Sequence, residues 1–291
     1  MNRLNVPALA LAALLANDAS AQGGAGQGIL DRYEFSAETS KQWRLPDKLN
    51  EISGLALTGD ARLLAVTDES AIVYELDYSA GRLVKAFALG DPTVRGDFEG
   101  IAWSEGGVWL VTSDGVIYEA TEGEDGERVA YDEYRTGLGQ LCEIEGLTYR
   151  QSDGMLLLLC KTIRSKSGLE SLAIFAWSTS SRQPVREQTI ALPDRDIAAA
   201  LRVRRLNPSG ITIEEQSGNL LIVAARQRAV IELDAGGSLL SARVLPLAGR
   251  HRQAEGIEIL PSGGILIADE GGGHRARLAI YSPGSSPAGR E

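Results

Sequence analysis

Glu143-Ile144-Glu145-Gly146-Leu147 is one of five copies of a short pattern in this chain. The others are Glu51-Ile52-Ser53-Gly54-Leu55, Asp97-Phe98-Glu99-Gly100-Ile101, Asn207-Pro208-Ser209-Gly210-Ile211 and Gln253-Ala254-Glu255-Gly256-Ile257. Each reads polar, any residue, Glu or Ser, Gly, then Ile or Leu. The five glycines are 46, 46, 64 and 46 residues apart. A period of this size marks a repeat array, and the strands after each glycine identify the repeat.

A short apolar strand comes first, as in Leu55-Ala56-Leu57 and Ile211-Thr212-Ile213. A tight Gly, Asn or Asp turn comes next, as in Ser152-Asp153-Gly154, supplying the positive φ that a hairpin needs. The second strand is continuously apolar, as in Leu63-Leu64-Ala65-Val66, which implies burial on both faces. The third alternates, as in Ile72 to Leu76, and the fourth is more polar. Four strands per repeat is a propeller blade, so the expected fold is an all-β, five-bladed β-propeller with four-stranded blades. A two-domain all-β arrangement fits the even, uninterrupted spacing less well.

The fifth repeat ends on Leu278 to Tyr281 and lacks a fourth strand. The segment Tyr33 to Leu45 has a strand and no blade. It is expected to supply the outer strand of the last blade, which closes the ring and leaves no unpaired seam. The long step places an insertion in blade three, with Arg164 to Gly168 as a loop and Asp196 to Leu201 as a short helix. Such insertions often lie on a binding face.

The start of the chain is an address rather than a fold element. Arg3, an apolar run from Val6 to Ala16 and the small-residue site Ala19-Ser20-Ala21 make a secretory signal pattern. The run is too short to span a bilayer, and no Cys stands at its end to carry a lipid. The expected organisation is a signal peptide over 1–21, a flexible Gly-rich linker over 22–30, the propeller over 31–283 and a disordered tail over 284–291. A retained anchor is the alternative to cleavage. The expected location is the periplasm or the medium.

The net charge of −10 argues against nucleic-acid or anionic-lipid partners. A monomer is expected, with a small anionic ligand or an envelope protein as partner and no membrane span in the mature chain. Export permits a disulfide between the two cysteines, Cys142 and Cys160. They flank the blade-three hairpin at nearly the same level when counted back from its turn.

The first strand of each blade lines the axis, so Ser53, Glu99, Glu145, Ser209 and Glu255 should converge there. A second tier lies at the ends of the second strands: Asp68, Asp114, Lys161, Arg226 and Asp269-Glu270. Packed carboxylates need neutralising. A Ca²⁺ or Mg²⁺ ion could do so through Glu99, Glu145, Glu255, Asp68 and Asp114. One carboxyl could stay protonated and act as a general acid. Lys161 and Arg226 could pair with the glutamates. Each Glu could instead bond backbone N–H groups between blades, with no ligand. Ser53, Lys161, Ser209, Arg226 and Glu270 are the candidates for holding a ligand. His251 and His274, with Arg202, Arg204 and Arg205, are expected on a basic rim. There is no Gly-x-Ser-x-Gly elbow, His-Glu-x-x-His or phosphate-binding glycine loop.

Together, Leu49 to Leu55, Asp97 to Ile101, Cys142 to Leu147, Leu158 to Lys161, Pro208 to Ile211 and Ala254 to Ile257 resemble the SdiA-regulated (YjiK-like) family of exported bacterial β-propellers. A looser similarity runs to propellers labelled esterase-like phytases. The resemblance implies the fold and export, and supplies no catalytic residue. Three functions stand as expectations: a cell-envelope propeller binding a divalent cation or small anion at an acidic axial site, a metal-assisted esterase or phosphoesterase-like hydrolase, or an interaction scaffold using the blades or residues 193–205.

Overall fold

The computed structural model describes residues 28–36, 38–246 and 251–284. The expected signal peptide, the first part of the expected linker and all but the first residue of the expected tail lie outside the described residues.

Five antiparallel sheets form the blades of a propeller. Blade one runs Ile52–Leu57, Leu63–Thr67, Ser70–Asp77 and Arg82–Leu89. Blade two runs Phe98–Ser104, Gly107–Thr112, Val116–Ala120 and Tyr131–Arg135. Blade three has Cys142–Arg150, Met155–Ile163 and Ala173–Ser178, then a broken outer edge made of Gln183–Pro184 and Ile190–Ala191. Blade four runs Gly210–Ile213, Leu220–Ala224, Ala229–Leu233 and Leu239–Val244. Blade five has Ala254–Ile259, Ile265–Asp269 and Arg277–Tyr281, and its outer strand is Ser40–Arg44 from the other end of the chain. The closure expected from the missing fourth strand is therefore present, with Trp43 opposite Leu278.

Two sheets depart from four strands. Arg128–Val129, in the loop before blade two's outer strand, adds in parallel to the outer edge of blade one. In blade three a 3₁₀ turn at Arg186–Gln188 splits the outer strand into two short pieces.

The second strands are the core. Every residue of Leu63–Thr67, Gly107–Thr112, Leu220–Ala224 and Ile265–Asp269 is buried, as their continuous apolar runs require. The inner strands pack against one another in chain order around the axis, with blade five returning to blade one. The motif glycines permit this approach. A Cβ on Gly100 would lie 2.6 Å from the backbone nitrogen of Leu147, and one on Gly210 would lie 2.4 Å from the carbonyl oxygen of Glu255. Each neighbour belongs to the next blade, so any side chain here would push two blades apart.

The long step in blade three does hold a helix, Asp194–Leu201. It buries Ile197 and Ala198 and packs against the outer strand of blade four. The insertion thus lies along the outside of a blade, away from the axis.

The N-terminal segment is held at two points. Besides the closing strand, the N–H groups of Ile29 and Leu30 donate to the two oxygens of buried Glu232 in blade four, at 2.7 and 2.9 Å. Residues 29 and 30, placed in the linker by composition, are instead buried, because the Glu232 carboxylate needs donors and the apolar side chains of both fill the core beside it.

Candidate functional site

The motif residue before glycine sits where the ladder breaks. Register between the inner and second strands shifts at Ile52/Gly54, Phe98/Gly100, Ile144/Leu147 and Ala254/Gly256. A β-bulge leaves one residue unpaired and re-aims its side chain. The displaced positions include Ser53, Glu99, Glu145 and Glu255. In blade four Ser209 lies just before the inner strand.

Blade three has a second irregularity. Glu143 pairs with Thr162 and Ile144 with Cys160, so Lys161 is skipped on the opposite strand. The two displaced residues meet: the Lys161 ammonium bonds the Glu145 carboxylate. Glu145 is 3% exposed. The disulfide between Cys142 and Cys160, with Cα atoms 5.7 Å apart, staples the hairpin across this bulge.

Three carboxyls from blades two, three and five share this lysine. Burial, and then the neighbouring Glu145, push the Glu99 carboxyl up to about 10. Burial and Glu145 push Glu255 to about 8, against the pull of Lys161. Glu145 is raised by burial and drawn back by Lys161, and it shares a hydrogen bond with Glu99. Burial alone would lower Lys161, but Glu145, Glu255 and Glu99 together hold it above the lysine range. The site is thus the Lys161–Glu145 ion pair flanked by two carboxyls whose raised pKa values favour the acid form, with Glu99 hydrogen-bonded to Glu145. Carboxyls pushed apart in this way divide into proton donor and acceptor.

The second tier is less unified. Asp68 is pushed up to about 6 by burial, then by Glu51 and Glu270, and its Oδ1 atom is buried without a hydrogen-bond partner among the described residues. Glu270 is raised by burial and accepts from Gln253 Nε2. Asp114 is exposed and turns away to accept from Thr112 Oγ1 at 2.5 Å. Arg226 is exposed and pairs with no glutamate among the described residues. The expected five-carboxylate metal set is thus not gathered. Among the described residues no three His, Cys, Asp or Glu side chains are grouped to hold a metal ion.

The two motif serines face backbone. Ser53 Oγ donates weakly to the carbonyl of Val66 at 3.5 Å. Ser209 Oγ donates to the carbonyl of Ala254 in blade five at 2.6 Å and accepts from the Ala225 N–H at 3.0 Å. Ser209, a candidate ligand holder, thus bridges the backbones of blades four and five.

His251, expected on the rim, is buried at 2% exposure. Its Nδ1 faces Asp269 Oδ2 at 2.7 Å and its Nε2 faces the Tyr281 hydroxyl at 2.6 Å. Both ring nitrogens have partners, which removes the usual cost of burying imidazole. Glu258 is a second polar residue that sequence reasoning missed. It accepts from Thr212 Oγ1 at 2.9 Å and from the Ile259 N–H at 3.1 Å, and burial pushes it up to about 7. Its only signal in the sequence is its place on the inner strand just after the blade-five motif.

Fold and site together define a five-bladed propeller with an acidic, lysine-compensated axial cluster. Residues 188–281, from the end of blade three through blade five, match the family model described as SdiA-regulated. The fold is similar to a glutaminyl cyclase from Myxococcus xanthus, at TM-score 0.56 and 13% identity, covering 84% of this chain and 96% of that one. It is also similar to a luciferin-regenerating enzyme, at TM-score 0.53 and 9% identity, covering 85% and 98%. At such identities the likeness is one of fold.

Proposed function

We propose that this chain is an exported cell-envelope propeller that binds a small polar ligand at its axis through Glu99, Glu145, Lys161 and Glu255. The observation behind this reading is the ion pair between buried Glu145 and part-buried Lys161, flanked by the Glu99 and Glu255 carboxyls that burial raises. The set offers an ammonium donor, a carboxylate acceptor and two acid O–H groups in one water-poor place. An anionic group on the ligand would turn to Lys161, and hydroxyl or amide groups to the glutamates. The N-terminal pattern, the disulfide and the SdiA-regulated match support export.

A divalent cation is the second reading. The unpartnered Asp68 Oδ1, close to Glu51 and Glu270, favours it. Ca²⁺ or Mg²⁺ would displace protons from raised carboxyls, so affinity would climb with pH.

Thermal unfolding of the full chain separates these readings, because a ligand bound only to the folded state raises apparent stability by mass action. Melting is followed with EDTA, Ca²⁺, Mg²⁺ and a panel of sugars, amino acids and their phosphates. A rise with an organic ligand that disappears in Glu145→Gln supports the axial reading. A rise with metal alone that disappears in Asp68→Asn replaces it with the cation reading. Turnover of a chromogenic phosphoester, lost in Glu145→Gln, would move the conclusion to hydrolysis. If nothing shifts the transition, the axial cluster is structural and the proposal fails.

A further inference from the structure

The closing seam of the ring holds a polar cavity of about 240 Å³. Its lining includes Arg44 from the N-terminal strand, and Arg252, His274, Arg275 and Arg277 from blade five. In a chain of net charge −10 this is a local excess of cations.

The acids nearby offset it only in part: Asp269 stands opposite Arg277 in the ladder and forms no ion pair with it among the described residues. Asp269 lines the cavity, but its carboxylate is held by His251 and the Gln253 N–H. Glu270 is engaged by the Gln253 amide. Arg275 pairs with exposed Asp47 at 2.8 Å. Arg44, Arg252 and Arg277 form no ion pair among the described residues. Arg44 and Arg277 are also direct partners across the closing strands. Like charges directly opposite in a ladder are destabilising. The rim is built rather than loose: Gly272 and Gly273 have φ of 49° and 86°, and the His274 N–H closes a turn onto the Gly271 carbonyl at 2.8 Å. That turn carries His274 and Arg275 to the cavity.

We propose that this seam is a binding site for a small oxyanion-bearing metabolite, a phosphomonoester or a polycarboxylate, gripped between Arg44 and Arg277. Guanidinium forks take such oxygens in pairs, and the bound charge cancels the repulsion between the two arginines. The cavity exceeds a bare phosphate and is smaller than a typical drug-sized pocket. The site does not depend on the axial ligand. Because its two main arginines come from opposite ends of the chain, the anion clamps the ring shut, and binding registers as stability.

The test is thermal unfolding of the full chain at constant ionic strength, with chloride replaced stepwise by inorganic phosphate or citrate. Both anions should raise the melting temperature beyond chloride, and the ratio of folded to unfolded protein should climb about 100-fold at 100 times Kd. Arg44→Gln in chloride should melt at or above the parent, because one repulsive charge is gone. Arg44→Gln/Arg277→Gln should lose the anion response, and Arg44→Lys, which keeps the charge without the fork, should bind about tenfold more weakly, one hydrogen bond's worth. Glu145→Gln should keep the response, which separates this site from the axial one. Tighter citrate marks a polycarboxylate ligand and tighter phosphate a phosphoester. The proposal is overturned if neither anion outperforms chloride, or if the double variant responds like the parent. Should the double variant not fold, calorimetric titration of the parent against Arg252→Gln, an exposed position, gives the same decision.

Discussion

Blades three and four carry the same motif at the same place and use it in opposite ways. In blade three the residue before glycine is Glu145, buried and bonded to Lys161 across a doubly bulged hairpin that Cys142–Cys160 ties together. In blade four it is Ser209, equally buried, with its hydroxyl engaged by the backbone of its own blade and the next. Repeat equivalence therefore fixes where a side chain stands and leaves its chemistry free. The position becomes a candidate for function where its charge needs a partner, and it becomes mortar where a hydroxyl can satisfy backbone groups.

The contrast is broken most severely by Lys161→Met. It strands a buried carboxylate, which typically costs about 3–5 kcal/mol. Urea unfolding should show that loss at high pH, and the loss should shrink as pH falls and Glu145, raised by burial, takes a proton. Adding Glu145→Gln should restore most of it. A single variant within about 1 kcal/mol of the parent would show that solvent screens the pair.

A smaller effect of opposite sign is expected at Glu99. Its folded pKa is raised to about 10 from an ordinary value of 4.5, so its favourable contribution is complete below about 4.5 and fades as pH climbs towards 10. The parent should lose stability between pH 5 and 9, and Glu255, raised to about 8, adds to the slope. Glu99→Gln should flatten the curve and be more stable than the parent by about 2 kcal/mol at pH 8. A parent whose stability rises over that range would contradict a protonated Glu99.

Ser209→Ala sharpens the comparison from the other side. It leaves the Ala225 N–H and the Ala254 carbonyl without that hydroxyl, for a loss of about 1 kcal/mol. The pH profile should be unchanged. A variant with altered ligand response would place Ser209 in the site after all.

The features legible in the sequence were those that repeat. The glycines announced five inner strands, and the apolar runs announced the buried second strands. The absent fourth strand of the last repeat announced the closure by residues 40–44. Hairpin counting placed Cys142 beside Cys160. The convergence of Glu99, Glu145 and Glu255 came from the period alone. Differences between repeats were hidden. The bulge that frees Lys161 is a one-residue register change with no composition of its own. His251 looked like rim charge because its partners, Asp269 and Tyr281, lie on neighbouring strands rather than nearby in sequence. Arg44 and Arg277 meet only because the chain ends meet, and local periodicity carries no sign of that.

The closing strand also has a consequence for the order of assembly. Each of the first four blades can form from a contiguous stretch of chain, but the fifth needs Ser40–Arg44 to find Arg277–Tyr281. Contacts of such long sequence separation form slowly. Until they form, Arg277–Tyr281 presents an open strand edge, the template on which misassembly begins. Early docking of Ile29 and Leu30 on Glu232 would hold the N-terminal segment beside blade four. The search for the last edge then becomes short, and the interval in which two chains could join through their open edges shrinks with it.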